Sequence, residues 1–531
     1  MALEGLSIVG FSRLSASGRC FYGVDPATGA ALEPPYHPAG PEDVDRAARL
    51  AAAAYDVYRR TPGGARAAFL EAIAAGLERR GAEIEARATA ETALPAARIR
   101  SELGRTCGQL RMFAALVREG SWADARIDRA QPARTPLPRP DVRSMLRALG
   151  PVAVFGPSNF PLAFTVAGGD TASALAAGCP VVVKAHSAHP GTSELAGLAI
   201  VEAARATGMV DGVFSLLFGD GRSVGQALVQ HPAIQAVGFT GSKAAGRALM
   251  DLAAARPEPI PVFAEMGSLN PVVILPRALA ARGEAIAEGL HASVTLGVGQ
   301  FCTNPGLVLI EAGPDAEAFA AALASRMGAT APGTMLYAEL RASYAGGVAR
   351  LAGCDGVETL ALSDLDSGPG RCRATAALFR ASAMTFLADA ALREEVFGPA
   401  TLLVVHRGAE ELERVVRALE GHLTATVHGE ADELSRNAGL LSLLETKVGR
   451  IVINGFPTGV EVCPSMVHGG PYPAASDARF TSVGTRAILR FARPVCYQGF
   501  PDAALPPELQ DANPLGIARL VDGTLVTPDA P

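Results

Sequence analysis

The sequence is poor in the features that mark several large classes of protein. Only 19% of its 531 residues are charged, only three are lysines, and the formal net charge is −6 with no basic run. This balance argues against a nucleic-acid or anionic-membrane surface as the main partner. Its apolar runs are shorter than the roughly 18–20 residues of a membrane helix, and its first residues lack the segments of a signal peptide. We therefore expect a soluble, cytoplasmic protein with no nucleic-acid or membrane partner.

Cysteine is scattered rather than clustered. The eight cysteines include no CxxC pair and no spacing of the kind that binds a metal. In a chain of this length the pattern is typical of free thiols in a reducing compartment. We predict neither disulfides nor a metal site.

What the sequence does contain is a repeated alternation of apolar runs and helical segments. Its hydrophobic fraction of 49% excludes disorder for most of the chain. Helices are predicted over 41–86 and Ala96–Arg118. Further along, short apolar runs such as Val152–Phe155 alternate with helical segments such as Val166–Ala177, and a second series follows Phe263. The alternation is typical of mostly parallel sheets with helices on both faces, so we predict an α/β fold of two such units plus extensions.

Cys302 and Glu265 are the first candidates for chemistry. Cys302 lies in a turn punctuated by glycine and proline, where a thiolate could act as nucleophile. Glu265 ends an apolar run, and burial there would raise its pKa into the range of a general base. Each has a structural alternative, because a lone cysteine can be a small buried hydrophobe and a lone glutamate can be a cap or an ion-pair partner.

Two further segments predict sites for an oxyanion and for a dinucleotide. Asn159 stands between two prolines in a loop that would fix its carboxamide, as an oxyanion site requires, although a turn asparagine can also serve only the backbone. Lys184 and the pair Gly241 and Ser242 each follow an apolar run, at strand ends where open α/β sheets bind ligands. The standard Rossmann glycine motif and the P-loop motif are both missing from the sequence.

Together these segments resemble one family. Asn-Phe-Pro, Phe-Thr-Gly-Ser, Glu-Met-Gly, Gly-Gln-x-Cys and Glu-x-Phe-Gly-Pro motifs occur in the order and spacing of the aldehyde dehydrogenase superfamily, and the resemblance covers residues 40–500. It implies an aldehyde dehydrogenase-like α/β fold with two doubly wound domains and an oligomerisation arm. The implied parts are a cofactor-binding domain (1–131 and 148–262), a catalytic domain (263–449), the arm (132–147 and 480–500) and a C-terminal tail (501–531).

Finer details resemble one branch, the α-ketoglutarate semialdehyde (2,5-dioxovalerate) dehydrogenases. The segments that carry this resemblance are 91–95, 105–111, 454–462 and 468–473. Two departures from the wider superfamily are present. Ser158 replaces a usual aromatic residue, and the loop after Glu265 lacks a common second glycine and lysine.

The resemblance implies a covalent mechanism and a nicotinamide cofactor. Cys302 would add to the aldehyde carbon, and Asn159 and the Cys302 N–H would hold the oxyanion. Glu265 would activate water, first to help generate the thiolate and then to hydrolyse the thioester. The cofactor residues implied are Lys184, Ser187, Gly241, Ser242, Glu395 and Phe397. Because Ser187 stands where relatives that prefer NAD often have a glutamate, we expect NADP to be preferred, with NAD also possible.

The same resemblance assigns the substrate site to the helix 96–118 and its surroundings. Arg105 would bind a carboxylate remote from the aldehyde, with Arg98 as the weaker candidate. Phe160, Phe164 and Phe456 would form tunnel walls. Alternatively, Arg105 would pair with Glu102 or Glu91 and never meet substrate.

We predict oxidation of α-ketoglutarate semialdehyde to 2-oxoglutarate by a homodimer or homotetramer. The alternatives are another carboxylated or medium-chain aldehyde and, more remotely, a catalytically silent homologue.

Overall fold

The computed structural model describes residues 3–16, 18–362 and 372–527. Proline opens four of its longer helices, where its fixed φ is already helical and its missing N–H costs nothing. The α-helices span Pro41–Tyr58, Gly63–Arg79, Gly81–Thr92, Ala96–Glu119, Gly169–Ala177, Pro190–Ala206, Gln226–Gln230, Lys243–Ala254, Pro276–Thr295, Pro314–Gly328, Ala338–Ala352, Ala383–Ala388, Ala409–Ala418, Ala431–Arg436 and Ala438–Glu445.

The first sheet has seven strands, and the five from one edge inward are parallel, whereas the last two are antiparallel. Their register sets Glu265 beside Thr240 and Phe155 beside Lys184, so the carboxyl ends of these strands share one edge. Its strands are, in spatial order, Val262–Glu265, Ala236–Thr240, Val152–Phe155, Val181–Lys184, Phe214–Leu217, Ile8–Val9 and Ser12–Arg13.

The second sheet also has seven strands and is parallel except at one edge. Cys302 lies shortly before the strand Leu307–Glu311, and Glu395 shortly before its neighbour Ala400–His406. Both loops therefore lie at the amino edge of this sheet. The spatial order is Val357–Leu362, Ala377–Ser382, Ala400–His406, Leu307–Glu311, Val272–Ile274, His422–His428 and Val448–Ile453. Two mostly parallel sheets flanked by helices confirm the predicted α/β class.

A five-stranded sheet is formed by segments expected to make the arm and the tail, together with Arg126–Asp128, which was expected in the cofactor-binding domain. Val142–Ala148 pairs with Ala492–Gln498, whereas the 3-10 turn Thr485–Phe491 packs in the core of the first unit. Residues from the tail add to the same sheet, rather than docking only loosely. Its strands are, in order, Ala492–Gln498, Val142–Ala148, Arg126–Asp128, Arg519–Val521 and Thr524–Val526. Two small two-stranded antiparallel sheets hold the remaining described strands, Phe21–Val24 with Ala31–Tyr36 and Gly333–Thr334 with Arg373–Ala374.

One helix starts later than its sequence predicts. The helix expected from Val166 begins at Gly169, because Gly168 folds back on the preceding loop. A Cβ on Gly168 would lie 2.5 Å from the Ala163 carbonyl oxygen. This tight turn holds the residues around Asn159 next to the helix Ala96–Glu119. Within the described ranges, no helix is both long and apolar enough to cross a membrane.

Candidate active site

The turn that carries Cys302 has an unusual backbone. Gly297, Val298 and Gly299 are all left-handed, with φ of +56°, +58° and +65°. A Cβ on Gly299 would come within 2.3 Å of the Gly398 carbonyl group, so only glycine fits there. Val298 is β-branched, and such residues rarely adopt this conformation. The chain therefore holds local strain directly before the candidate nucleophile.

A buried asparagine fixes the other side of this turn. Asn270 donates through Nδ2 to the carbonyl oxygens of Cys302 (2.8 Å) and Asn304 (2.9 Å). Its Oδ1 accepts hydrogen bonds from the hydroxyls of Ser268 and Thr424. Because every polar atom of this fully buried amide has a partner, the cysteine turn is rigidly attached to the second sheet.

Cys302, Glu265 and His468 meet at one point. The Cys302 Sγ lies 3.4 Å from His468 Nε2, and the same Nε2 lies 2.9 Å from Glu265 Oε1. The Ser482 hydroxyl donates to the other carboxylate oxygen of Glu265. Glu265 and His468 are both buried, and Cys302 is partly exposed. The structure thus joins the predicted nucleophile and the predicted base through a histidine.

The pKa of Glu265 differs from the sequence expectation. Burial raises the pKa of this carboxyl, but the neighbouring His468 and Ser482 together with Arg490 outweigh burial and lower it below its usual value. The expected raised pKa is therefore wrong, because the sequence showed the burial and not these partners. Burial and the charge of Glu265 raise the pKa of the Cys302 thiol well above its ordinary value, while Arg105 acts against them.

Asn159 lies where the loop of the first unit contacts the cysteine turn. Its Nδ2 donates to the carbonyl of Gln300 at 3.0 Å, two residues before Cys302. Next to it Phe160, Phe164 and Phe301 form an edge-to-face aromatic cluster. The cluster gives the candidate site an apolar wall made by both units of the fold.

Arg105 points its guanidinium at this aromatic wall without a polar partner. The group lies 5.6 Å from the Phe160 ring centre and 5.1 Å from that of Phe164. Its Nε and Nη2 atoms are buried and unbonded within the described residues. Burial lowers its pKa, whereas the charges of Glu102 and Cys302 raise it. Because two donor atoms of this half-buried cation lack an acceptor, an anionic ligand would satisfy them.

The two carboxylates considered as alternative partners of Arg105, those of Glu102 and Glu91, bind other groups. Glu102 binds Arg98 at 2.7 Å and accepts the backbone N–H groups of Leu162 and Ala163. Glu91 binds Arg87 at 2.9 Å and caps the helix that begins at Pro190. Neither carboxylate makes a hydrogen bond or an ion pair with Arg105.

Phe456 lies apart from the aromatic wall, contrary to its expected place in the tunnel. Its ring packs 5.1 Å from His428 and over Gly289, within a core of the second unit. A Cβ at Gly289 would lie 2.2 Å from this ring, so the glycine creates the space that the ring fills.

The predicted cofactor residues line the carboxyl edge of the first sheet. Lys184 ends its strand half-buried, burial lowers its pKa to about 8, and its amine has no partner within the described residues. Ser187 is exposed in the following turn. Ser242 caps the helix Lys243–Ala254 by accepting the Ala245 N–H at 3.3 Å, and the N–H of Gly241 donates to the Glu265 carbonyl at 3.0 Å.

Glu395 and Phe397 lie half-buried in the loop at the amino edge of the second sheet. The Glu395 Oε1 accepts the Ser268 N–H at 3.2 Å, and a Cβ on Gly267 would lie 2.4 Å from Oε2. Burial raises the pKa of Glu395 to about 7, against the opposing effect of that single hydrogen bond. A largely unsatisfied carboxylate of this kind fits a ligand that offers hydroxyl groups.

The sequence that forms this site matches a known protein family. Residues 14–349 match the profile of the Aldehyde dehydrogenase family. The chain belongs to this family. The predicted membership is confirmed, and this aldehyde dehydrogenase is an oxidoreductase.

Relatives of this aldehyde dehydrogenase include two that share most of its length. Alpha-ketoglutaric semialdehyde dehydrogenase 2 of Azospirillum brasilense is 55% identical over 524 residues, covering 98% of this chain and 99% of that protein. Alpha-ketoglutaric semialdehyde dehydrogenase of Acinetobacter baylyi is 47% identical over 485 residues, covering 91% of each. The predicted resemblance to this branch is confirmed.

Solved structures confirm the predicted aldehyde dehydrogenase fold. Lactaldehyde dehydrogenase of Escherichia coli has a TM-score of 0.79 at 23% identity, over 93% of this chain and 98% of that one. The P. syringae indole-3-acetaldehyde dehydrogenase in complex with NAD+ and IAA has a TM-score of 0.80 at 21% identity, over 94% of this chain and 97% of that one.

Three residues of the site were not predicted from the sequence. His468 lay within a segment already recognised as typical of the branch, but nothing in its neighbours linked it to Cys302. Asn270 precedes a proline and has a φ of +49°, a conformation that asparagine tolerates better than most residues. Ser482 had no sequence signal at all.

Proposed function

We propose that this aldehyde dehydrogenase oxidises α-ketoglutarate semialdehyde to 2-oxoglutarate, with NADP as the preferred cofactor. The observation that carries the proposal is the unpaired guanidinium of Arg105 beside the aromatic wall and within the electrostatic influence of Cys302. The names of the two relatives from Azospirillum brasilense and Acinetobacter baylyi support it.

A second guanidinium makes this end of the site suited to an α-keto acid. Arg98 lies 4.5 Å from the Phe160 ring centre, and its Nη2 is buried without a partner within the described residues. Arg105 binds the substrate carboxylate in our proposal, and Arg98 offers a further donor to the neighbouring keto oxygen. Planar guanidinium groups suit such paired oxygen acceptors.

The reacting end is assigned to three side chains. The Cys302 sulfur attacks the aldehyde carbon, and the carbonyl oxygen takes up the displaced electron pair next to Asn159 and the Cys302 N–H. Loss of the hydride leaves the acyl group bound to Cys302 as a thioester. Glu265 takes a proton from a water that attacks this thioester, and the C–S bond breaks to release the carboxylic acid.

The residues at the strand ends fit a nicotinamide dinucleotide. When bound, its oxidised ring accepts the hydride. The unpaired amine of Lys184 offers a donor to the adenosine ribose, and the capped helix start at Ser242 suits the pyrophosphate. Glu395 offers an acceptor to the nicotinamide ribose.

NADP preference rests on Ser187, which brings no negative charge to the ribose 2′ position. A carboxylate there would repel a 2′-phosphate and accept a hydrogen bond from a 2′-hydroxyl. Ser187→Glu is therefore expected to shift the ratio of kcat/KM values toward NAD. An unchanged ratio would contradict the proposal that Ser187 lies beside the ribose 2′ position.

The substrate assignment is tested by comparing Arg105→Leu with a control on the same helix. The control is Arg111→Leu, which removes an exposed arginine that binds Glu78 at 2.7 Å. With α-ketoglutarate semialdehyde, Arg105→Leu should lower kcat/KM at least about 10-fold, because charge-assisted hydrogen bonds are lost. With pentanal, which has the same chain length and no charge, the variant should match wild type, as Arg111→Leu should with both. Equal losses on both aldehydes would contradict the assignment.

A further inference from the structure

His468 occupies a position that the proposed function leaves without a role. Its Nε2 is shared between Cys302 Sγ at 3.4 Å and Glu265 Oε1 at 2.9 Å. The reactive atoms of all three side chains lie within 4.8 Å of one another. The ring is buried, and its Nδ1 has no hydrogen-bond partner in the described parts of the chain. The only polar partners of this imidazole are therefore the sulfur and the carboxylate.

The local structure holds the imidazole and the carboxylate as one unit. The His468 N–H donates to Thr481 Oγ1 at 2.8 Å, and its carbonyl accepts the Ser482 N–H at 2.8 Å. Ser482 then donates its hydroxyl to Glu265. The following Gly469 lies so close to the Phe480 carbonyl oxygen that a Cβ would be 2.8 Å from it. Backbone contacts on both sides of His468 thus fix the direction of its ring.

The thiol beside this imidazole needs a base. Burial and the charge of Glu265 both raise the pKa of Cys302, so the sulfur carries its proton at neutral pH. The thiolate is the nucleophile, and histidine side chains exchange protons readily near neutral pH. The other charged groups that act on Cys302 or Glu265 are Arg105, Arg450, Glu395, Arg490 and Asp170. Among the described groups around the sulfur, His468 is the one whose ring nitrogen lies within hydrogen-bonding distance, at 3.4 Å.

We propose that His468 is the base that takes the proton from Cys302. The S–H bond breaks, its electron pair stays on sulfur, and the proton forms an N–H bond at His468 Nε2. The new imidazolium lies 2.9 Å from Glu265 Oε1, whose negative charge stabilises it. Glu265 therefore supports two successive steps, first the charged imidazole and later the attacking water. This inference rests on the proposed role of Cys302 as nucleophile.

The test measures alkylation of Cys302 by iodoacetamide as a function of pH, with neither aldehyde nor cofactor present. Mass spectrometry of the Cys302 peptide gives its rate, and the exposed Cys496 in the same sample is the internal control. In wild type the Cys302 rate should already be substantial at neutral pH, because His468 takes the proton as the sulfur is alkylated. In His468→Gln the rise should move to alkaline pH, so that the neutral-pH rate falls about 100-fold, as for loss of a general base. The Cys496 rate should not change.

Two outcomes would overturn the proposal. One is a wild-type Cys302 rate that is negligible at neutral pH and appears only at alkaline pH, a measurement that needs no variant to fold. The other is an identical pH profile in folded His468→Gln. Turnover by Cys302→Ser tests the proposed function separately. Substantial activity of this variant would show that Cys302 is not the nucleophile, whatever the alkylation profile.

Discussion

Glu265, which is buried, and Glu395, which is half-buried, have pKa values shifted in opposite directions. Glu265 has His468, Ser482 and Arg490 around it, and these partners lower its pKa despite burial. Glu395 has one backbone N–H, and burial raises its pKa to about 7. At pH 7 the Glu265 carboxyl is therefore charged, whereas the Glu395 carboxyl is close to half-protonated.

The raised pKa of Glu395 predicts a pH dependence of cofactor binding. Below about pH 7 this carboxyl is increasingly protonated and loses the charge with which it would accept ribose hydroxyls. The KM for the nicotinamide cofactor should therefore rise as pH falls through about 7, and in Glu395→Gln this KM should be high and independent of pH. Steady-state kinetics at saturating aldehyde would measure it. A wild-type cofactor KM that is flat across this range would contradict the role of Glu395.

Glu265→Gln is expected to stop the reaction at the thioester. The amide cannot take a proton from water, but Cys302 still reaches the aldehyde carbon. One equivalent of reduced cofactor should form in a burst, and mass spectrometry should detect an acyl group on Cys302. Cys302→Ala serves as the control that forms neither. Near-normal turnover of Glu265→Gln would make Glu265 a structural residue.

The sequence predicted which residues belong to the candidate site better than it predicted the groups that surround them. The motifs singled out Cys302, Glu265 and Asn159, and the structure brings all three to one place. The predicted direction of the Glu265 pKa shift was wrong, because the shift depends on His468, a residue far away in the chain. Phe456 was misplaced because the cavity over Gly289 is formed only by tertiary packing.

The cysteine turn is the element on which the candidate site depends. Three consecutive left-handed residues redirect the chain from the helix Pro276–Thr295 into the strand Leu307–Glu311. The glycines predicted the turn from sequence. The left-handed Val298 could not be predicted, because its conformation is imposed by contacts with remote segments such as Gly333.

Gly299→Ala is expected to disrupt this turn. The new Cβ would lie 2.3 Å from the Gly398 carbonyl group, at a φ of +65° that alanine rarely adopts. We expect a loss of stability of about 2–4 kcal/mol and loss of activity. Gly346→Ala is the matched control, because it lies in the helix Ala338–Ala352 with open space around it, and should be neutral or stabilise by about 0.5–1 kcal/mol. Thermal and chemical unfolding would compare the two, and equal stabilities would contradict the tight contact.

In the whole molecule the candidate active site lies between the two seven-stranded sheets. The carboxyl edge of the first sheet carries Glu265 and Lys184, and the amino edge of the second carries the loops of Cys302 and Glu395. The alternation of strands and helices predicted both sheets. It could not predict that the tail would join the arm strands, because those strands are short and their pairing partners lie far apart in the chain.

The five-stranded sheet has exposed edges, which predicts assembly. Its last strand, Thr524–Val526, presents Leu525 at 66% exposure, and the strand Ala492–Gln498 forms the opposite edge. Open edges with apolar side chains favour pairing with another chain. We expect a homodimer or homotetramer by sedimentation velocity, and Leu525→Asp should weaken it without changing the fold seen by circular dichroism. A wild-type monomer at micromolar concentration would contradict the role of this sheet.

The proposed reaction converts a carboxylated semialdehyde into its acid. The most direct measurement incubates the purified protein with α-ketoglutarate semialdehyde and NADP, follows the reduced cofactor by absorbance, and identifies the product by mass spectrometry. We predict 2-oxoglutarate and reduced cofactor in equal amounts, with a kcat/KM well above that for pentanal. Equal kcat/KM values for the two aldehydes, or no 2-oxoglutarate, would contradict the account.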